Sequence, residues 1–290
     1  MKKYRDCGSE IFNTGSSKCP FVPDYVKVII LTPEDMVIKD DELEEKIEEM
    51  IHANRPGRIY PIGPIAEYAP SGGEAQTSKQ GYGPSQITSY SELVEAWTLE
   101  NYDEGLLANL MKLKNERMRA LFVDKNNVVY GQYDTDTTIK GYLMSSIYPS
   151  SVQRFKTSGD NASMAVSLVY DDVEKAWMET KSLQGETDLV EKAKGLVWVD
   201  VVKVGDSGSN YKVVEHYGKY DLTTAYGALL GKTEGVWGDS VSAAQYNSAD
   251  GTLSLTSEST PAVLSPECLK PYDDMEKQVK ELTQLIDEPI

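Results

Sequence analysis

Short apolar, β-branched runs, each soon closed by turn-forming residues, constrain this chain more than any other feature of its sequence. Val26–Leu31 (VKVIIL) stops at Thr32-Pro33, and Ala120–Val123 and Val128–Tyr133 flank the turn Asp124-Lys125-Asn126-Asn127. Ile139–Tyr148 and Ser163–Tyr170 (SMAVSLVY) are separated by a connection containing Ser158-Gly159-Asp160-Asn161. Runs of this length rich in Val, Ile and Tyr read as strands, and the Gly and Asx clusters between them as hairpin connections. Helical spacing interrupts the pattern twice. After Asp40-Asp41, Leu43, Ile47, Met50 and Ile51 form an apolar stripe that predicts a helix over 41–53, and Asp103 opens a second one, expected to reach about Met118. Residues 25–190 are therefore expected to form an α+β domain that is mostly β. Pro61 and Pro64 confine the segment Ile59–Tyr68 to a sheet edge or a loop.

The texture changes near residue 196. Leu196–Val204 (LVWVDVVKV), Tyr211–Tyr217, Leu222–Leu230, Val236–Tyr246, Leu253–Thr256 and Ala262–Leu264 follow one another at near-regular spacing with Gly-rich turns between. That pattern predicts a small β-sandwich over 196–267. Beyond Pro271-Tyr272-Asp273-Asp274, the spacing of Met275, Val279, Leu282 and Ile286 predicts a terminal helix over 271–290.

Two segments do not fit a core. Residues 1–24, with Gly8, Ser9, Gly15, Pro20 and Pro23, read as an extended arm. Residues 69–91 (APSGGEAQTSKQGYGPSQITSYS) are long, weakly charged and poor in apolar side chains. A structureless stretch of that length inside a domain is uncommon and is usually functional. It is expected to be a flexible interaction loop, with Gly72, Gly73, Gln80, Gly81, Tyr82, Gly83 and Pro84 as the candidate intersubunit arm. Its glycines do not form a phosphate loop, because the Gly-Lys-Ser/Thr ending and the helix that phosphate binding requires are missing.

Composition argues against chemistry. The two histidines, His52 and His216, lie near no nucleophile motif, so a Ser-His-Asp or Cys-His hydrolase is not expected. Cys7, Cys19 and Cys268 are too few for a zinc site or a disulfide framework. Asp171, Asp172 and Glu174 read as a solvated helix start, and Asp134 and Asp136 as turn residues. No enzyme activity, cofactor or metal is expected. A formal charge of −17, from 46 acidic against 29 basic residues, opposes tight binding to nucleic acid, which needs Lys and Arg to replace phosphate counterions. The same charge suits a surface past which DNA slides without sticking. Met1–Cys7 lacks the apolar run of a secretory signal, and no stretch is long and apolar enough to span a membrane, so a soluble, non-exported protein is expected.

The segments Cys7-Gly8-Ser9-Glu10-Ile11-Phe12-Asn13-Thr14-Gly15, Arg55-Pro56-Gly57-Arg58-Ile59-Tyr60-Pro61-Ile62 and Ser71-Gly72-Gly73-Glu74-Ala75-Gln76-Thr77 resemble virion structural proteins of tailed phages and prophages of Bacteroidales, including crAss-like phages. The resemblance extends over residues 1–170. The order of parts also resembles tail tube proteins, which implies a β-barrel or sandwich with flanking helices, a long loop that bridges stacked rings, and an appended immunoglobulin-like domain over 196–267. On that resemblance the chain is a tail tube or ring component of the virion, assembled in the bacterial host cytoplasm. Its implied partners are copies of itself, other head and tail proteins, and double-stranded DNA in the lumen. Strands such as Val94–Thr98 or Ser163–Tyr170 are then expected to pair edge to edge between subunits. The alternative is a carbohydrate- or cell-surface-binding protein, since 18 Tyr and 4 Trp supply rings to stack on sugars.

Overall fold

The apolar runs of the N-terminal region become strands of one curled sheet, and those at its centre are buried on both faces. A computed structural model describes residues 2–3, 23–53, 55–79, 81–114, 116–205, 208–232, 235–258, 263–264 and 282–284. The chain divides into two units, residues 1–102 with 113–194, and residues 103–112 with 195–290.

In chain order the first unit begins with β1 (Lys2–Lys3), β2 (Val26–Pro33), β3 (Ile38–Lys39), α1 (Leu43–His52), β4 (Tyr60–Ile62), β5 (Ile65–Gly72), β6 (Ala75–Ser78), β7 (Gln86–Tyr90) and β8 (Leu93–Leu99). After α2 (Glu104–Lys112) it resumes with β9 (Met118–Asp124), β10 (Val128–Thr135), β11 (Thr138–Lys140), β12 (Tyr142–Gln153), β13 (Ser163–Tyr170), α3 (Val173–Met178), β14 (Thr180–Gln184) and α4 (Leu189–Lys192). The strand order is β1-β14-β10-β9-β12-β13-β8-β5, with branches at β10, which also takes β11, and at β9. β9 pairs with β2 along its length, while Phe122 and Val123 pair with β10 and Met118–Ala120 pair with β12. The continuous apolar runs of β2, β9 and β13 suit strands buried on both faces. The β9–β10 turn is set by Asp124, which is buried and accepts from the backbone N–H of Asn126 and Val128 and from the Tyr130 hydroxyl, at 2.7–2.9 Å. The expected α+β, mostly β character is thus present.

The helix predicted over 41–53 is α1, with Leu43, Ile47 and Ile51 buried. His52 meets a helix carbonyl, its Nδ1 lying 2.8 Å from the Glu48 oxygen. As expected from Pro61 and Pro64, the segment Ile59–Tyr68 lies at sheet edges: β4, which contains Pro61, pairs with β2 alone, and β5, which follows Pro64, pairs with β8 alone. The strands expected to pair between subunits are interior instead. β8 lies between β13 and β5, and β13 between β12 and β8, so their backbone groups are already satisfied. Of the arm over 1–24, Lys2 and Lys3 pair with β14, whereas Met1 and residues 4–22 lie outside the described residues.

The second unit contains β15 (Val197–Lys203), β16 (Asn210–Glu215), α5 (Thr223–Leu230), β17 (Val241–Asn247), β18 (Thr252–Ser257) and β19 (Leu282–Gln284). They form one sheet in the order β17-β18-β16-β15-β19. The two-sheet, immunoglobulin-like sandwich expected over 196–267 is replaced, among the described residues, by this sheet and α5. Leu222–Leu230 is helical rather than extended. Its start is held by Thr223, whose hydroxyl accepts from the Val213 N–H at 2.9 Å, and Leu229 and Leu230 enter the core. Gly227 allows the close approach of the helix to the sheet, since a Cβ there would lie 2.4 Å from the Tyr246 ring. The helix expected over 103–118 ends at Lys112, because Met118 is claimed by β9. It groups with this second unit, where Asn109 accepts from the Tyr217 hydroxyl at 2.9 Å. Of the helix expected over 271–290, Leu282–Gln284 is a strand running parallel to β15, and residues 271–281 and 285–290 lie outside the described residues.

Candidate functional site

The described residues of segment 69–91 are largely extended. Ala69–Gly72 completes β5, and the remainder forms a two-stranded ribbon, β6 with β7, that belongs to no larger sheet. Gly72 (φ +82°) and Gly73 (φ +78°) turn the chain from one into the other. Gly72 admits no side chain, as a Cβ would fall 1.8 Å from the Glu92 carbonyl oxygen. The ribbon is closed at its base by Glu74 and Ser91, where the Ser91 N–H donates to the Glu74 carbonyl and the Glu74 N–H to the Ser91 hydroxyl, each at 2.9 Å. Thr77, Ile87, Thr88 and Tyr90 supply β-formers, and the register runs from Ala75 opposite Tyr90 to Ser78 opposite Gln86. The sequence reads as loop because neither face of the ribbon is buried. All of β6 and Gln86–Ser89 are exposed, and only Tyr90 is half-buried, edge-on to Trp177 at 5.1 Å between ring centroids. At the tip Gly81 adopts φ +58°, Tyr82 is fully exposed, Pro84 is exposed and Gly83 half-buried. Gln80 lies outside the described residues. The remaining candidate residues thus split between the root and the tip of one hairpin.

A cavity of about 940 Å³ lies in the same unit, inside the curl of the large sheet. Its rings follow one another across the strands: Tyr68 to Trp97 at 4.3 Å, Trp97 to Phe122 at 5.3 Å, Phe122 to Tyr142 at 5.9 Å and Tyr142 to Tyr170 at 5.8 Å. β8 and β9 are three steps apart through β12 and β13, which in a flat sheet is about 14 Å. Contact between Trp97 and Phe122 therefore requires strong curvature. Trp177, half-exposed, lines the cavity as well, so the cavity and the root of the ribbon share this side chain.

Among these rings sits Glu95. It accepts from the Tyr68 hydroxyl at 2.9 Å and the Tyr170 hydroxyl at 3.1 Å. Burial pushes its carboxyl above the ordinary range, although those hydroxyls and the Trp97 N–H dipole pull the other way. Burial and the neighbouring carboxylate push up all three surrounding phenols; burial is the main cause at Tyr142, pushed up to about 12. The phenols therefore stay protonated as donors. The Trp97 indole nitrogen is buried and makes no well-formed hydrogen bond among the described residues. Sequence reasoning missed this cluster, whose members are scattered from Tyr68 to Thr180. One signal was present. Glu95 falls in the alternating strand on the side of Leu93, Trp97 and Leu99, a lone charge on an apolar face.

Comparison with known proteins adds little. No family model matches this chain, and no curated protein does. A solved structure, the anti-feeding prophage cap that terminates the AFP tube, is similar at 9% identity and a TM-score of 0.29, with 60% of this chain and 99% of that chain covered. A likeness that distant carries no argument about fold or function.

The position of Glu95 has a measurable consequence. A carboxyl raised by folding costs nothing below its unfolded value of 4.5, where both states are protonated, and costs most above its folded value, where both are ionised. Stability is thus greater at acid pH and is lost as pH rises through the folded value. Glu95→Gln removes that loss while keeping an acceptor and a donor for the two hydroxyls. It is expected to raise the melting temperature at pH 7 and to leave it unchanged near pH 4. Equal shifts at both values would show that ionisation of Glu95 is not the cause.

Proposed function

We propose that this chain is a virion structural protein of a tailed phage or prophage, a tail tube or ring component whose copies join through the β6–β7 ribbon. The ribbon carries this reading. An isolated two-stranded hairpin is marginally stable in water. Here no side chain among the described residues of Gln76–Ser89 is buried, so a stable ribbon has use for a partner surface. The exposed edge β5 leads into it and offers unpaired backbone groups beside it. The charge of −17 fits a lumen through which duplex DNA passes without tight binding. Placement in a virion, assembly with other head and tail proteins, and a Bacteroidales host rest on the sequence resemblance. No helix among the described residues is long and apolar enough to cross a membrane.

The test is to replace Gln76–Ser89 with an Asn-Gly turn between Ala75 and Tyr90, a pair already opposed in the ribbon. The variant is expected to melt within a few degrees of the parent yet to give no rings or tubes by negative-stain microscopy and sedimentation. Assembly that survives the replacement would overturn the proposal. The half-exposed rings of Tyr68 and Trp177 favour a second reading, carbohydrate binding, for which a monomer that binds glycans is the expected result.

A further inference from the structure

We propose that the aromatic cavity around Glu95 is a binding site for the positively charged end of a flexible chain, an alkylammonium or a guanidinium group. This inference does not depend on the assembly reading.

Glu95 carries a carboxylate among Tyr68, Trp97 and Tyr170, and both of its oxygens are held by phenol hydroxyls. Among the described residues no Lys or Arg contributes to its electrostatics. Lys27, the basic residue on the lining, lies 3.5 Å from Glu100, and Asp24 is paired with Lys125 at 3.1 Å. Glu95 and Glu67 therefore leave the cavity with negative charge to be matched. The half-exposed rings of Tyr68 and Trp177 suit a cation too, because ring faces carry negative potential and attract ammonium and guanidinium groups. A pyranose would need open ring faces to lie on. Trp97, Phe122, Tyr142 and Tyr170 are instead buried and tilted against one another, so they present no row of flat faces to a sugar. At 940 Å³ the cavity is of the size that binding pockets span.

Isothermal titration calorimetry of the full chain at low ionic strength tests this with N-acetyl-lysine methylamide, N-acetyl-arginine methylamide and 1,4-diaminobutane, with n-butanol and methyl α-glucoside as neutral probes. Saturable binding of a cation, weakened at least ten-fold by Glu95→Gln and also weakened by Trp177→Ala at the rim, is the expected result. Glu95→Gln is not expected to unfold the chain, and Trp177 is half-exposed, so loss of fold does not mask the answer. Binding of the amino-acid amides but not of the diamine supports the proposal with a protein side chain as the source, and the reverse supports it with a free polyamine. Absence of binding by all three cations, equal affinity in Glu95→Gln, or binding of the glucoside alone would overturn it.

Discussion

Lys181→Met is expected to destabilise the first unit by roughly 3–5 kcal/mol, the range for leaving one member of a buried ion pair without its partner. The Lys181 ammonium is held 2.8 Å from Asp40 and donates to the carbonyls of Thr138 at 2.9 Å and Thr135 at 3.1 Å. The side chains of Lys181 and Asp40 are 7% and 14% exposed, so water does not replace the lost contacts. One ammonium thus ties β14 to the β10–β11 hairpin and to the segment between β3 and α1. Removing it strands a carboxylate and two carbonyls together. For a unit of this size the loss corresponds to a fall in melting temperature on the order of 10 °C. Adding Asp40→Leu removes the stranded carboxylate and is expected to recover about half of the loss, since apolar replacements of both partners are often tolerated. A single variant that melts with the parent would show that the pair contributes nothing net.

That ion pair marks the limit of what the sequence makes legible. Local features can be read: the runs of β2, β9 and β13, the Asp124 turn, the α1 stripe, and the edge position of the segment around Pro61 and Pro64. Each depends on residues a few positions apart. Lys181 and Asp40 are 141 residues apart, and nothing in Thr180–Gln184 (TKSLQ) distinguishes that lysine from a solvated one. The curl of the sheet is invisible for the same reason, and with it the cavity, because the contact between Trp97 and Phe122 exists only once β12 and β13 have bent between them. Segment 69–91 was conspicuous as an oddity, yet the lack of apolar residues that marked it also hid its hairpin. Leu222–Leu230 is illegible locally because a short run of apolar and small residues suits a strand or a helix equally, and the close fit of Gly227 against Tyr246 is a long-range contact.

The second unit yields the other large effect. Trp237 is buried in a core with Leu230, Leu253, Leu255 and Leu264, and its indole N–H donates to the Leu230 carbonyl at 2.7 Å. That carbonyl belongs to the last turn of α5, where helix oxygens have no partner within the helix. Trp237→Ala empties the largest side chain of this core and strands the carbonyl, and large aromatic truncations cost about 3–5 kcal/mol. Against a domain stability of about 5–15 kcal/mol, that removes about a fifth or more of what holds such a unit. Trp237→Phe keeps most of the volume and loses the donor, at a cost of about 1–3 kcal/mol. The two substitutions therefore separate packing from hydrogen bonding. Hydrogen exchange is the measurement that locates the damage: amides of β15, β16 and β18 are expected to lose protection in Trp237→Ala, while those of β9, β12 and β13, in the other unit, keep it. Uniform loss across both sets would mean that the two units unfold as one, and unchanged protection in β15–β18 would mean that Trp237 is not a core residue of its sheet.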